Sequence, residues 1–248
     1  MNATRSLRRA LLERDATRAV VGYLTLGDPD RARCRSAAIE AAEAGCVALE
    51  LGLPTADAPE GAVLARSHAR AAAALDPAAA LALAAELARD LPCPVVLVGY
   101  HAALPDRAAV ERLCDQAADA GLAAALIVGL PLPELGAYAA RAQARGIETV
   151  LTVSGKMPPR MRERVYRATT GAVYVVARGE PVHDILALVA SESALPRIVG
   201  GGISTREQAA LALSSGAHAI AVGAALVERL EAGQPLAPLV RALGGTGP

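Results

Sequence analysis

Residues 196–224 read PRIVGGGISTREQAALALSSGAHAIAVGA. Two short runs rich in Val and Ile, PRIVGG (196–201) and HAIAVGA (218–224), flank STREQAALALSSGA (204–217), which has helical spacing. Strand, helix and strand in this order and at this length make a parallel crossover unit. Ser204 is the expected N-cap of the helix, with Glu207 three residues on as its capping box. Gly216 is expected to close the helix in a left-handed conformation. Outward from this stretch the same unit recurs. The runs AVVGYLTL (19–26), CVALELGL (46–53), PVVLVGY (94–100), AAALIVGL (123–130), IETVLTV (147–153) and GAVYVVA (171–177) bring the strands to eight. Helical segments such as PDRAAVERLCDQAADAG (105–121) lie between them, and Gly45, Gly121 and Gly146 close three more helices just before a strand. Eight βα units in this length, with no linker, predict an α/β fold of the (β/α)₈ TIM barrel kind, one domain over 1–248.

Composition fits that fold. Of 248 residues 53% are hydrophobic, yet Phe and Trp are both absent, so the core must come from Ala, Val, Leu and Ile. Formal net charge is zero and no basic run stands out, which argues against nucleic acid as a partner. Cys34, Cys46, Cys93 and Cys114 show neither CxxC nor metal-ligand spacing and are expected as buried or half-buried thiols, with no metal. The N-terminal segment is charged and amphipathic without a signal-peptide core, and no run is long enough to span a membrane. A cytoplasmic protein is expected.

In such barrels the chemistry sits where strands end. Strand 2 carries Glu50, strand 3 ends at Tyr100 and His101, strand 4 at Gly129, and strand 6 carries Tyr174 and Arg178. A carboxyl on a buried strand is costly unless it is paired or functional, which singles out Glu50. Gly201 and Gly202 after strand 7 let backbone N–H groups approach an anion, and Gly223 with Ala224 opens a helix aimed at the same place. These four form the expected phosphate site. His68, on a helix, and His218, at the start of strand 8, read as structural.

Six segments, GYLTLGDPD (22–30), ALELGLPTADAPEG (48–61), PVVLVGY (94–100), GAVYVVAR (171–178), GGGISTREQAA (200–210) and AVGAALVERL (221–230), carry a further inference. In their order and spacing the chain resembles the α-subunit family of tryptophan synthase over most of its length. The resemblance implies a lyase that splits indole-3-glycerol phosphate into indole and glyceraldehyde 3-phosphate by carboxylate acid/base catalysis, without a cofactor of its own. It implies a PLP-dependent β-type subunit as partner. Glu50 takes the place of one catalytic carboxyl; the second falls to Glu60 before Gly61 if one residue is deleted, or to Asp57; Tyr174 is an orienting hydroxyl. Tyr23, Tyr100, His101, Gly129, Arg178 and His183 are the expected substrate contacts.

The chain also departs from the family. Val182 and His183 stand where a Thr-Gly pair belongs in a longer lid, Ala224 replaces a phosphate-site serine, Gly129 an aspartate and Gly201 a bulky Phe. These changes suggest a divergent paralogue with a reshaped pocket, acting in a specialised pathway. Two other readings stay open: a non-catalytic barrel that binds and activates a β-like enzyme, and a Schiff-base aldolase using Lys156.

Overall fold

The computed structural model describes residues 6–15, 19–56, 61–177 and 179–245. Among them eight parallel strands close a barrel in sequence order: β1 (Val20–Thr25), β2 (Ala48–Gly52), β3 (Val95–Tyr100), β4 (Ala124–Val128), β5 (Glu148–Val153), β6 (Ala172–Val176), β7 (Arg197–Gly200) and β8 (Ala219–Val222). Each lies within one of the runs read from the sequence. The runs are continuously apolar because both faces of each strand are covered, by the barrel interior on one side and by helices on the other.

The outer layer includes α2 (Arg31–Glu43), α3 (Ala62–Ala74), α4 (Pro77–Asp90), α5 (Arg107–Asp119), α6 (Leu135–Ala144), α7 (Pro159–Ala168), α8 (Val182–Glu192), α9 (Arg206–Ser214), α10 (Ala224–Glu231) and α11 (Ala237–Gly244). Gly45, Gly121, Gly146 and Gly216 take positive φ before β2, β4, β5 and β8, as expected. The α9 cap is one residue later than expected. Thr205, not Ser204, is the N-cap, and Gln208, not Glu207, completes the capping box. The Gln208 amide oxygen accepts from the N–H groups of both Ser204 and Thr205, which fixes the register.

A chain without Phe or Trp fills its barrel by alternation. In the pairings Val21–Ala48, Val96–Ala124, Val150–Ala172 and Ile198–Ala219, a β-branched residue on an odd strand meets Ala on the next even strand. These residues belong to one interior cluster. Large and small side chains from alternate strands fill the layer without an aromatic ring. The bottom is closed by α1 (Leu7–Leu12), whose Leu7 and Leu11 are fully buried in the same cluster. Its cap residue Ser6 donates to Glu148 at the start of β5 over 2.5 Å, and the Arg8 N–H donates to the same carboxylate over 2.9 Å. With this end plugged, the opposite, C-terminal end is left for chemistry.

All four cysteines are buried, and none is in a disulfide. No single helix among the described residues is long and apolar enough to cross a membrane.

Candidate active site

Glu50 lies midway along β2, on the strand face that points into the barrel. It is 3% exposed, and its Oε1 has no hydrogen-bond partner. Burial pushes its pKa up to about 8, so it holds its proton at neutral pH. Tyr23 of β1 stands opposite it in the strand register. The Tyr23 phenol reaches past Glu50 to Gly52, where it occupies the space a Cβ would need. That close approach explains the glycine at the end of β2.

The Tyr23 hydroxyl meets His68 Nε2 at 2.6 Å and the Tyr100 hydroxyl at 2.9 Å. The His68 ring also lies edge-on to Tyr100, with centroids 5.1 Å apart. Burial raises the Tyr23 phenol well above its ordinary range, with smaller raising effects from Tyr100 and Glu50. Burial likewise pushes Tyr100 up to about 12. It pushes His68 down to about 4, against the pull of the Asp28 charge. Burial thus favours the uncharged form of all four groups, and the cluster is polar and buried.

His68 is held in place by its own helix. Ser67 donates to Asp28 over 2.7 Å, and Arg70 grips the same carboxylate with two N–H groups at 2.8 and 2.9 Å. Arg70 and Arg66 also pair with Glu231 on α10. These contacts clamp α3 between the turn after β1 and α10. His68, expected from the sequence to be structural, is brought by the fold to the group around Glu50. Nothing local marked it: Ser67 and His68 are fully buried, but Arg66 and Arg70 beside them make the segment look like an ordinary polar helix face.

Tyr174 of β6 packs against the interior cluster from the far side, and its ring covers the Cα of Gly200 where a Cβ would clash. His101 is half-buried at the rim, its Nε2 3.2 Å from Glu134, with Gly129 beside it in a left-handed conformation. His183 is exposed in the first turn of α8 and is not brought to Glu50. Lys156 is exposed after β5, with no desolvated pocket around its amine. His218 lies at the start of β8, where its Nδ1 accepts from the Arg197 N–H. Asp57, Glu60 and Arg178 lie outside the described residues.

At the end of β7, Gly201 and Gly202 are exposed with φ of 118° and 99°. Beside them Gly223 leads into α10 without a side-chain cap, and Ala224 at its first position is exposed. The first N–H groups of a helix have no partner within it, so this end offers donors to an anion. Gly223 also packs close to Tyr23: a Cβ there would lie 3.6 Å from the Tyr23 Cβ. A buried carboxyl on β2, a phenol on β6 and backbone donors after β7 and β8 thus share one end of the barrel.

The family model described as tryptophan synthase alpha chain matches residues 10–240. The chain belongs to the tryptophan synthase alpha chain family. Its relatives of that name include one from Prochlorococcus marinus (strain MIT 9313), 32% identical over 246 residues, covering 94% of this chain and 89% of the relative. Another, from Gloeobacter violaceus, is 33% identical and covers 88% and 83%. Among solved structures the barrel is similar to a chain of the tryptophan synthase complex from Pyrococcus furiosus, with a TM-score of 0.82 and 29% identity over 92% of this chain and 98% of that one. It is also similar to the tryptophan synthase alpha chain from Legionella pneumophila, with a TM-score of 0.85 and 25% identity over 98% and 97%.

Proposed function

We propose that this member of the family cleaves a carbon–carbon bond by retro-aldol chemistry, on indole-3-glycerol phosphate or a close relative. The observation that carries the reading is Glu50: a buried, protonated carboxyl with an unpartnered oxygen, inside the barrel at the end where anion donors gather. The reaction needs two proton transfers. Glu50 delivers its proton to the indole carbon that bears the side chain. A second carboxylate, Asp57 or Glu60 in the loop after β2, takes the proton of the adjacent hydroxyl. The carbon–carbon bonding pair returns to the ring, and the hydroxyl oxygen becomes the carbonyl of an aldehyde phosphate. No cofactor enters the balance.

The remaining residues bind and orient. Gly201, Gly202, Gly223 and Ala224 hold the phosphate through backbone N–H groups and the α10 terminus. Tyr174 orients the hydroxyl, and Tyr23 and Tyr100 border the ring. His101 and Gly129 contact the substrate from the rim, and Arg178 and His183 are the further substrate contacts assigned by position in the sequence. The polar group around Tyr23 and the missing bulk at Gly201 support a reshaped pocket that admits a close relative of indole-3-glycerol phosphate as well. A solved complex from Pyrococcus furiosus is titled a tryptophan synthase a2b2 complex. By that likeness a PLP-dependent β-type subunit is the partner.

Release of indole and an aldehyde phosphate from indole-3-glycerol phosphate tests the reading. Wild type is expected to turn over and Glu50→Gln to lose turnover by at least about 10²-fold. Full activity in Glu50→Gln removes Glu50 from the mechanism. No turnover by wild type, together with activation of a β-type subunit, favours the non-catalytic barrel.

A further inference from the structure

Three buried side chains from three elements meet beside Glu50, and the proton transfers above leave one of them, His68 of α3, without a role. We propose that His68 is a positioning residue: it pins the Tyr23 phenol, and through it Tyr100, as the wall that keeps water from Glu50. The inference rests on the cleavage reading for its kinetic consequence but not for its geometry.

Tyr23 stands opposite Glu50 in the strand register, and its hydroxyl has two partners, His68 at 2.6 Å and Tyr100 at 2.9 Å. Gly52 gives the ring space to lie down, but space alone does not hold it. Two hydrogen bonds from different directions fix the phenol. The shorter comes from a helix anchored elsewhere, through Ser67 and Arg70 to Asp28. The imidazole also packs against the Tyr100 ring in a T-shaped contact. Take it away and Tyr23 loses its shorter bond, Tyr100 loses a ring contact, and a ring-sized polar space opens to water. Glu50 Oε1, unpartnered as it stands, would be the first group to gain from that water.

The titratable groups that act on the cluster are Tyr23 from β1, Glu50 from β2, Tyr100 from β3 and Asp28 from the turn after β1, the last held by Arg70. His68 is buried and neutral, so it acts by shape and hydrogen bonding rather than by charge.

The test reads Glu50 directly, by carboxyl ¹³C NMR titration of the unliganded protein, alongside steady-state cleavage. In His68→Ala the Glu50 midpoint is expected to fall by about one unit or more as water enters. In His68→Gln, whose amide reaches the phenol, it should stay near the wild-type value. The kcat of His68→Ala should fall about 10- to 100-fold with KM within about threefold, and His68→Gln should recover most of that loss. Adding His68→Ala to Tyr23→Phe should cost little more than Tyr23→Phe alone, because the two act through one contact. An unmoved Glu50 midpoint in a His68→Ala protein of lowered Tm would overturn the proposal, as would fully additive losses in the double variant. If wild type releases no indole but the midpoint still moves, the cleavage reading fails and the positioning role stands.

Discussion

Glu50 and His68 are displaced in opposite senses by the same cause, and the signs lead to opposite pH effects. The folded pKa of Glu50, about 8, lies above its ordinary 4.5. Its burial therefore costs nothing below about pH 4.5 and grows more destabilising as pH rises toward 8. Replacing it by Gln should stabilise the fold at pH 8 by on the order of a few kcal/mol, with the gain vanishing near pH 4.5, as read by denaturant melts across that range. His68, lowered from 6.5 to about 4, destabilises the fold as pH falls through that interval, because only the unfolded chain is free to take up the proton. The glycines beside these residues are equally specific. Gly52→Ala drives a methyl group into the Tyr23 ring, and Gly200→Ala into the Tyr174 ring. Each should cost roughly 1–3 kcal/mol by overpacking, and Gly52→Ala should also lower cleavage by displacing the phenol beside Glu50.

At the scale of elements, α3 is the part that ties the site together. Its residues Ser67 and Arg70 converge on Asp28, which is 1% exposed, while the Arg70 side chain is 38% exposed. Arg70→Ala should cost about 1–3 kcal/mol, less than a fully buried pair would because solvent screens the guanidinium. It should also lower kcat, by loosening the helix that carries His68. The strands were legible in the sequence because each is a short apolar run bounded by a glycine or a helix cap, and periodicity reports such runs directly. Glu50 was legible because a carboxyl inside such a run breaks the pattern. His68 was not. Its contact with Tyr23 spans 45 positions and depends on how α3 leans over the barrel, which local spacing does not encode. The α9 cap slipped by one residue because Ser204 and Thr205 are adjacent and equivalent as caps; the Gln208 amide decides between them.

Across the whole molecule, the closed barrel divides stability from chemistry. One end is sealed by α1, and Leu11→Ala there should cost about 2–5 kcal/mol in denaturant unfolding while leaving kcat close to wild type, since α1 closes the end opposite the strand ends that carry the site. The other end gathers the buried carboxyl, the phenols and the exposed backbone donors. A crystal structure with a bound, non-cleavable indole-glycerol phosphate analogue measures this division most directly. The account predicts its phosphate on the N–H groups at Gly201–Gly202 and Gly223–Ala224, and the ring carbon that takes the proton within about 3–3.5 Å of a Glu50 carboxyl oxygen. A phosphate bound elsewhere, or a ring that leaves Glu50 walled off behind Tyr23 and Tyr100, would contradict it.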